Sequence, residues 1–201
     1  MLETENFDKM TSSKIHEVKI SHPQLGAIKG IVPIDGVHQF RSVPYATIPH
    51  RFADPVVVES LGADGVYDAT KFGPIAPQPD NAEELEFPAS TERLPHEHLE
   101  KDEFKCTNLN ISVPIGERKS GDAGLPVMVW FHGGSFMLGA ASWPQYGIPA
   151  FEHNLHGRFC QIRQVVCGSR TTCYWSWCQV CSTQLSELIK LSTWNNWIPC
   201  L

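Results

Sequence analysis

The sequence predicts an α/β protein whose first 150 residues form a small amino-terminal β-hairpin unit beside the first strands of a larger, mostly parallel sheet. Apolar and polar residues alternate over Lys14–Ile20, Ala27–Ile31 and Val37–Arg41, which is typical of short antiparallel strands. Asp35-Gly36 lies between two of these segments and favours a tight hairpin turn, because both turn positions tolerate positive φ. Val127–Phe131 is continuously apolar, as expected for a strand buried on both faces.

The remaining segments of this region predict loops and one more strand. Six prolines between residues 44 and 79 prevent any long amphipathic helix, because proline fixes φ and lacks an N–H donor. This part is therefore expected to be an ordered loop. The acidic stretch Asn81–Glu103 predicts a solvated surface with at most one or two helical turns. Leu109–Val113 alternates like a strand.

Length, charge and hydropathy exclude several protein classes. The 201 residues are 42% apolar and carry a formal charge of −6, which suits one core or two small ones. An acidic chain has no electrostatic footprint for nucleic acid, so we expect no such partner. The apolar run Leu125–Phe131 is far shorter than the roughly 20 residues of a membrane-spanning helix. Met1–Lys14 lacks the apolar centre of a secretory signal, which predicts a cytoplasmic location.

Residues 151–201 differ sharply from the rest in composition. Six of seven cysteines and four of six tryptophans lie there, with one of the 15 prolines. A domain boundary, a disulfide or metal module, or a stretch never selected as protein could each produce this change. Cys178 and Cys181 form a C-x2-C pair, with Cys167 and Cys173 upstream. A zinc site normally needs a second such pair, so we expect neither metal nor cofactor.

The segment that follows the apolar strand is the candidate functional site. Val127–Phe131 ends in His132-Gly133-Gly134-Ser135-Phe136. Two glycines after a buried strand allow backbone conformations closed to other residues and let a ligand approach the main chain. Their N–H groups could hold a developing oxyanion, although Gly-Gly could equally serve only to turn the chain.

Five segments, in order, resemble the amino-terminal part of the type-B carboxylesterases, an esterase and lipase family that includes the cholinesterases. The matching segments are Leu25–Gly30 (LGAIKG), Phe40–Phe52 (FRSVPYA…RF), Phe72–Gln78 (FGPIAPQ), Cys106–Ile111 (CTNLNI) and Leu125–Phe136 (LPVMVWFHGGSF). Two departures stand out: Ser42 replaces a usual glycine, and Ala76 stands where secreted relatives have a cysteine paired with the equivalent of Cys106. The resemblance therefore implies a partial α/β-hydrolase fold with a thiol at Cys106.

The same resemblance implies a reaction and a site. The family hydrolyses small-molecule carboxylic esters, and the N–H groups of Gly134 and Ser135 would face the substrate carbonyl oxygen, with Gly133 as the flexible approach. The family also needs a serine on a G-x-S-x-G elbow, followed by an acid and a histidine. Gly133–Met137 fails this pattern at its last position, and Gly168-Ser169-Arg170 lacks the second glycine. We expect no catalytic residue in this chain.

The tail also suggests a shifted reading frame. Tryptophan has the single codon TGG, and TGG followed by an adenine gives a glycine codon when read one nucleotide later. Trp194 and Trp197 precede Asn195 and Ile198, whose codons begin with adenine. Permitted codons for Lys190–Leu201 then yield NYRLGTIGFLA, which resembles the family's next motif, N-Y-R-x-G-x-x-G-F-L. We therefore expect residues 151–201 to result from a frameshift, a retained intron or a faulty gene model, with the break near residues 151–158. We expect this out-of-frame tail to be poorly ordered.

The functional hypotheses are therefore three. The first is a truncated carboxylic-ester hydrolase that keeps the oxyanion loop but is inactive alone. The second is a noncatalytic interaction protein with an esterase-like surface, and the third is a fusion of this fragment with a small zinc-binding tail.

Overall fold

The computed structural model describes residues 16–62, 65–88, 97–115, 127–146 and 160–164. Nine strands, one short helix and a 3₁₀ turn at Pro144–Tyr146 make up these parts. The elements in chain order are β1 (His16–His22), β2 (Gly26–Ile34), β3 (Val37–Pro44), β4 (Ala46–Thr47), β5 (Val56–Val57), β6 (Val66–Asp68), α1 (Ala82–Glu86), β7 (Asn108–Pro114), β8 (Val127–Phe131) and β9 (Cys160–Gln164).

Strands β1 to β3 form the predicted antiparallel hairpin unit. In β1 and β2 Ile20 lies opposite Ile28, and the second hairpin closes where Ile34 pairs with Val37 around Asp35-Gly36. Gly36 has φ +85°, a left-handed conformation that glycine adopts without steric cost. The sequence prediction of a hairpin at this dipeptide is confirmed.

One sheet joins the hairpin unit to the candidate site. Its strand order is β1-β2-β3-β7-β9-β8, and β6 adds to β2. Most of the described pairs are antiparallel, whereas β2 with β6 and β8 with β9 are parallel. The sheet thus combines the antiparallel start of an α/β fold with two parallel pairs, in agreement with the predicted partial fold.

Strand β9 comes from the part of the chain with the unusual composition. It lies between β7 and β8, with Ile162 opposite both Ile111 of β7 and Val129 of β8. The other residues of 151–201 lie outside the described residues, and so do the predictions that they are poorly ordered and out of frame.

The main core lies on one face of this sheet, around Ile28, Phe40 and Ile111, which are at most 1% exposed. Phe40 and Val43 both point into it because the pairing of β3 with β7 shifts register between them. Such a bulge adds a residue to one strand and redirects the side chains that follow.

The opposite face of β7 is polar and equally buried. Its asparagines and serine satisfy their hydrogen bonds on neighbouring loops and strands: Asn108 Nδ2 donates to the carbonyl of Pro74, Asn110 Oδ1 accepts the N–H of Ser42, and Ser112 Oγ accepts from Gln39 Nε2. Because an unpaired buried polar group is costly, these bonds fix the bulged part of β3 around Ser42 and the loop around Pro74.

Ser42 lies at the bulge in a conformation unfavourable for a residue with a side chain. Its φ is +54°, and its N–H and carbonyl are held by Asn110 Oδ1 at 3.1 Å and by the hydroxyl of Tyr67 at 2.6 Å. Glycine adopts this conformation without strain, which explains why the resemblance predicts glycine at this position.

The proline-rich region forms the predicted ordered loop, interrupted by the small β4-β5 sheet. The acidic stretch contains α1, which is five residues long, within the one or two helical turns expected. Two backbone hydrogen bonds, Ile75 N–H to Glu100 and Asp102 N–H to Ile75, tie the end of the loop to the segment before Cys106. Cys106 is fully buried and forms no disulfide with any residue whose side chain is described.

Relief of the strain at Ser42 gives a first test. We expect Ser42→Gly to raise the free energy of unfolding by about 0.5–1 kcal/mol, because glycine lacks the left-handed penalty but loses more chain entropy on folding. Denaturant unfolding of both proteins measures this change. As a control, Ser21→Gly in β1, where φ is not positive, should lower stability by a similar amount. A lower stability for Ser42→Gly would contradict the assigned strain.

His22 gives the fold a pH dependence. Its Nδ1 accepts the N–H groups of Gln24 at 3.2 Å and Leu25 at 3.0 Å across the β1–β2 turn, and burial lowers its pKa. Protonation at Nδ1 would break both bonds, which together contribute about 1–3 kcal/mol. Because the folded-state pKa lies below the unfolded value of about 6.5, this stability is present above that pH and is lost as the pH falls through the folded pKa.

The measurement is the free energy of unfolding between pH 7.5 and 5 for the wild type and His22→Asn, whose side-chain oxygen keeps an acceptor without titrating. We expect the variant to lose less stability on acidification. Burial also lowers the pKa of His38 and His132, so the wild type and the variant both lose stability through these residues. The contribution of His22 is therefore the difference between the two slopes of unfolding free energy against pH. Equal slopes would refute this role.

Candidate functional site at the end of strand β8

The segment His132–Gly139 forms a tight loop directly after β8. Gly134, Ser135 and Phe136 have φ values of +104°, +51° and +61°, so the chain makes a left-handed turn. The N–H groups of Met137 and Leu138 both donate to the carbonyl of Gly134, at 2.9 and 3.1 Å. This turn returns the chain toward the end of the strand.

The close approach explains the need for glycine at position 134. A Cβ there would lie 1.9 Å from the carbonyl oxygen of Leu138, well inside van der Waals contact. The positive φ disfavours a side chain as well. Any larger residue at this position must therefore displace the turn.

The predicted site residues lie together in this turn. Gly133 and Ser135 are exposed and Gly134 is half-buried. Among the described residues, the N–H groups of Gly134 and Ser135 donate to no other group. Their role as oxyanion donors stays a prediction, and the loop gives it a defined geometry.

His132 orients the first of these amides. Its imidazole is 9% exposed, its Nδ1 lies 2.8 Å from the carbonyl oxygen of Gly133, and burial lowers its pKa. A carbonyl only accepts hydrogen bonds, so the neutral ring carries its proton on Nδ1 and donates it there. In a trans peptide the N–H points opposite to the C=O, so the same contact directs the Gly134 N–H away from His132.

A small aromatic core supports the loop from one side. Trp143 and Tyr146 follow the loop and pack on Phe87, with ring centroids 5.8 and 5.3 Å away. Tyr146 also contacts Trp130 of β8 at 4.7 Å. Burial raises the pKa of the Tyr146 phenol, so it stays neutral, and its hydroxyl lies 3.5 Å from Glu86 Oε1.

Gln78 is a residue whose role the sequence did not reveal. Its carboxamide forms two hydrogen bonds with the backbone of Gly139 at the base of the loop. The sequence showed it only as the last residue of the FGPIAPQ segment, because a contact between residues 61 positions apart leaves no local pattern.

Other kinds of site are not formed by the described residues. In the five described ranges, no group of three or more His, Cys, Asp or Glu side chains is arranged to hold a metal ion. Cys167, Cys173, Cys178 and Cys181, on which the zinc hypothesis depends, lie outside those ranges. In the same ranges no helix has the length and hydropathy required to span a bilayer.

Sequence comparison identifies similar proteins. The chain is 38% identical over 126 residues to the para-nitrobenzyl esterase of Bacillus subtilis, which covers 61% of this chain and 22% of that protein. It is 34% identical over 131 residues to lipase 1 of Yarrowia lipolytica, covering 65% and 24% of the two chains. The chain therefore spans about a quarter of the length of these relatives.

Comparison with solved structures also identifies esterases. A solved PNB esterase matches with a TM-score of 0.52 and 31% identity over 72% of this chain and 26% of that one. The carboxylesterase of Geobacillus stearothermophilus matches with a TM-score of 0.52 and 26% identity, over 75% and 27%. The profile of the carboxylesterase family matches residues 16–154, which include the hairpin unit, β7, β8 and the whole loop. This chain belongs to the carboxylesterase family.

Proposed function

We propose that this chain supplies the oxyanion-binding part of a carboxylic-ester hydrolase of the serine esterase and lipase type, and that alone it does not hydrolyse esters. The observation that carries the proposal is the left-handed turn at Gly134–Phe136, which follows β8 and holds Gly134 and Ser135 beside a buried, neutral His132. Family membership supports the same reaction class.

Ester hydrolysis explains why such a turn is useful. When a nucleophile adds to the carbonyl carbon of an ester, negative charge develops on the carbonyl oxygen. Two backbone N–H groups fixed before the reaction stabilise that charge without reorganising, and the loss of one donor costs on the order of 3 kcal/mol in the transition state. A small-molecule carboxylic ester is the substrate class that this geometry fits.

The 201 residues nevertheless contain no G-x-S-x-G segment, the pattern that places the serine nucleophile in this fold. A serine hydroxyl needs an oriented imidazole to remove its proton during attack. The proposed contribution of this chain is therefore binding of the oxyanion, with the nucleophile, acid and base absent from its sequence.

We also propose a reducing, cytoplasmic location. The fully buried Cys106 carries a thiol whose Sγ lies 3.6 Å from the carbonyl oxygen of Glu103. Ala76, where secreted relatives have the partner cysteine, is also buried. With alanine at position 76, the disulfide of the secreted relatives cannot form here, which suits a compartment in which disulfides are rare.

Inactivity of the isolated chain gives the first test. We expect the purified protein to hydrolyse a short activated ester no faster than its Gly134→Val variant, because oxyanion donors accelerate the reaction only where a binding site and nucleophile accompany them. A serine-directed fluorophosphonate should label neither protein. Stoichiometric labelling of one serine, with Ser135 and Ser169 the first to examine, would overturn the proposal.

The oxyanion donors have a test that needs no catalysis. In isotope-labelled protein, acetate should shift the amide resonances of Gly134 and Ser135, because a carboxylate presents the negative oxygen that these donors would accept. Gly36, an exposed turn glycine with φ +85°, serves as the internal control and should not respond. The response should disappear in Gly134→Val, in which the new side chain displaces the turn. Equal responses at Gly36 and Gly134 would contradict the assigned role.

A further inference from the structure

The carboxamide of Gln78 closes the base of the oxyanion loop. Its Oε1 accepts the N–H of Gly139 at 2.8 Å, and its Nε2 donates to the carbonyl of the same residue at 3.1 Å. We propose that Gln78 is a positioning residue for the oxyanion site, and that it sets the orientation of the Gly134 and Ser135 amides by fixing Gly139. This inference rests on the proposed function of the loop.

Gly139 is the point at which the loop returns to its start. Its φ is +119°, and a Cβ there would lie 2.3 Å from His132 Nδ1 and 2.8 Å from the carbonyl oxygen of Gly133. Gly139 therefore packs directly against the imidazole and the carbonyl whose hydrogen bond orients the Gly134 N–H. A shift of Gly139 away from this position would remove one of the contacts that hold the imidazole of His132 and that peptide in their orientation.

Gln78 can hold Gly139 in place because Gln78 is itself held. Its Nε2 also donates to the carbonyl of Ala76 at 3.3 Å. Ala76 and the preceding Ile75 are buried, and Ile75 exchanges two backbone hydrogen bonds with Glu100 and Asp102. The side chain thus connects the loop to a segment anchored elsewhere in the fold.

The same two segments also touch through apolar contacts, since Ile75 packs in one cluster with Ala140 and Trp143 just beyond Gly139. These contacts bring the segments together but do not choose an orientation of the Gly139 peptide. The carboxamide of Gln78 does fix that orientation, because its donor and its acceptor match the C=O and the N–H of a single residue. Glutamate offers acceptors alone, and leucine offers neither group.

The experiment uses the full chain and two readouts at single-residue resolution, amide hydrogen exchange and acetate titration. The variants are Gln78→Leu, which has a similar volume without polar groups, and Gln78→Asn, which keeps both groups on a shorter side chain. The matched control is Gln24→Leu, since Gln24 is exposed on the β1–β2 turn. Denaturant unfolding measures the stability of each variant separately.

We expect Gln78→Leu to speed exchange at Gly139 and Leu138 by about tenfold, the effect of losing roughly one net hydrogen bond, with little change at Ile111 in the core. Acetate should bind several-fold more weakly at Gly134 and Ser135. Gln78→Asn should fall between Gln78→Leu and the wild type, and it provides the test if Gln78→Leu does not fold. Gln24→Leu should match the wild type in both readouts.

Three outcomes separate failure of this inference from failure of the proposed function. If the wild type responds to acetate at Gly134 and Ser135 and the Gln78 variants respond equally well, Gln78 is not a positioning residue. The same conclusion follows if exchange rises uniformly through the chain, because Gln78 then acts only on global stability. If the wild type shows no acetate response at either amide, the proposed oxyanion role is wrong, and this inference falls with it.

Discussion

Burial of β7 on both faces is the constraint on which the rest of the structure depends. One face joins the apolar core through Leu109, Ile111 and Val113, and the other carries Asn108, Asn110 and Ser112, all at most 7% exposed. Amide and hydroxyl groups removed from water need partners. The chain supplies them from β3 around its bulge at Ser42 and from the loop around Pro74. Both segments must therefore follow fixed paths, and the second leads directly to Gln78.

This arrangement connects the structural core to the candidate site over a short distance. Asn108 holds the carbonyl of Pro74, Ile75 and Ala76 are buried beside it in the chain, and Gln78 then reaches Gly139. The loop after β8 is thus held at one end by the strand and at the other by Gln78, whose segment is bound to β7 through the carbonyl of Pro74. Oxyanion donors need such a framework, because their advantage lies in being oriented before charge develops.

The sequence predicted the local features and missed those formed over long distances. Asp35-Gly36 identified the hairpin because a two-residue turn leaves a local signal. Val127–Phe131 identified the strand before the candidate loop, but this strand is not buried on both faces as predicted, since Phe131 is 46% exposed. The pairing of β9 between β7 and β8 and the contact of Gln78 with Gly139 could not be predicted. Both depend on packing between distant segments, and neither residue pattern differs from that of an ordinary loop or tail. Ser42 was noticed only as an exception, and its strained φ became visible only in the structure.

The protonation state of His132 places a further condition on the site. A neutral imidazole has one N–H, and the carbonyl of Gly133 accepts it from Nδ1. Burial favours the uncharged ring, and this hydrogen bond selects its tautomer. A charged ring at this place would add a full positive charge close to the proposed oxyanion donors. Its charge would, however, be destabilised by the loss of hydration in a buried position. Burial favours the neutral form, so in the proposed site the amides of Gly134 and Ser135 would stabilise a negative oxygen without help from a charged ring. Binding there would depend on backbone geometry, and a substitution far from the loop would alter it by moving Gly139 or His132 without changing either amide.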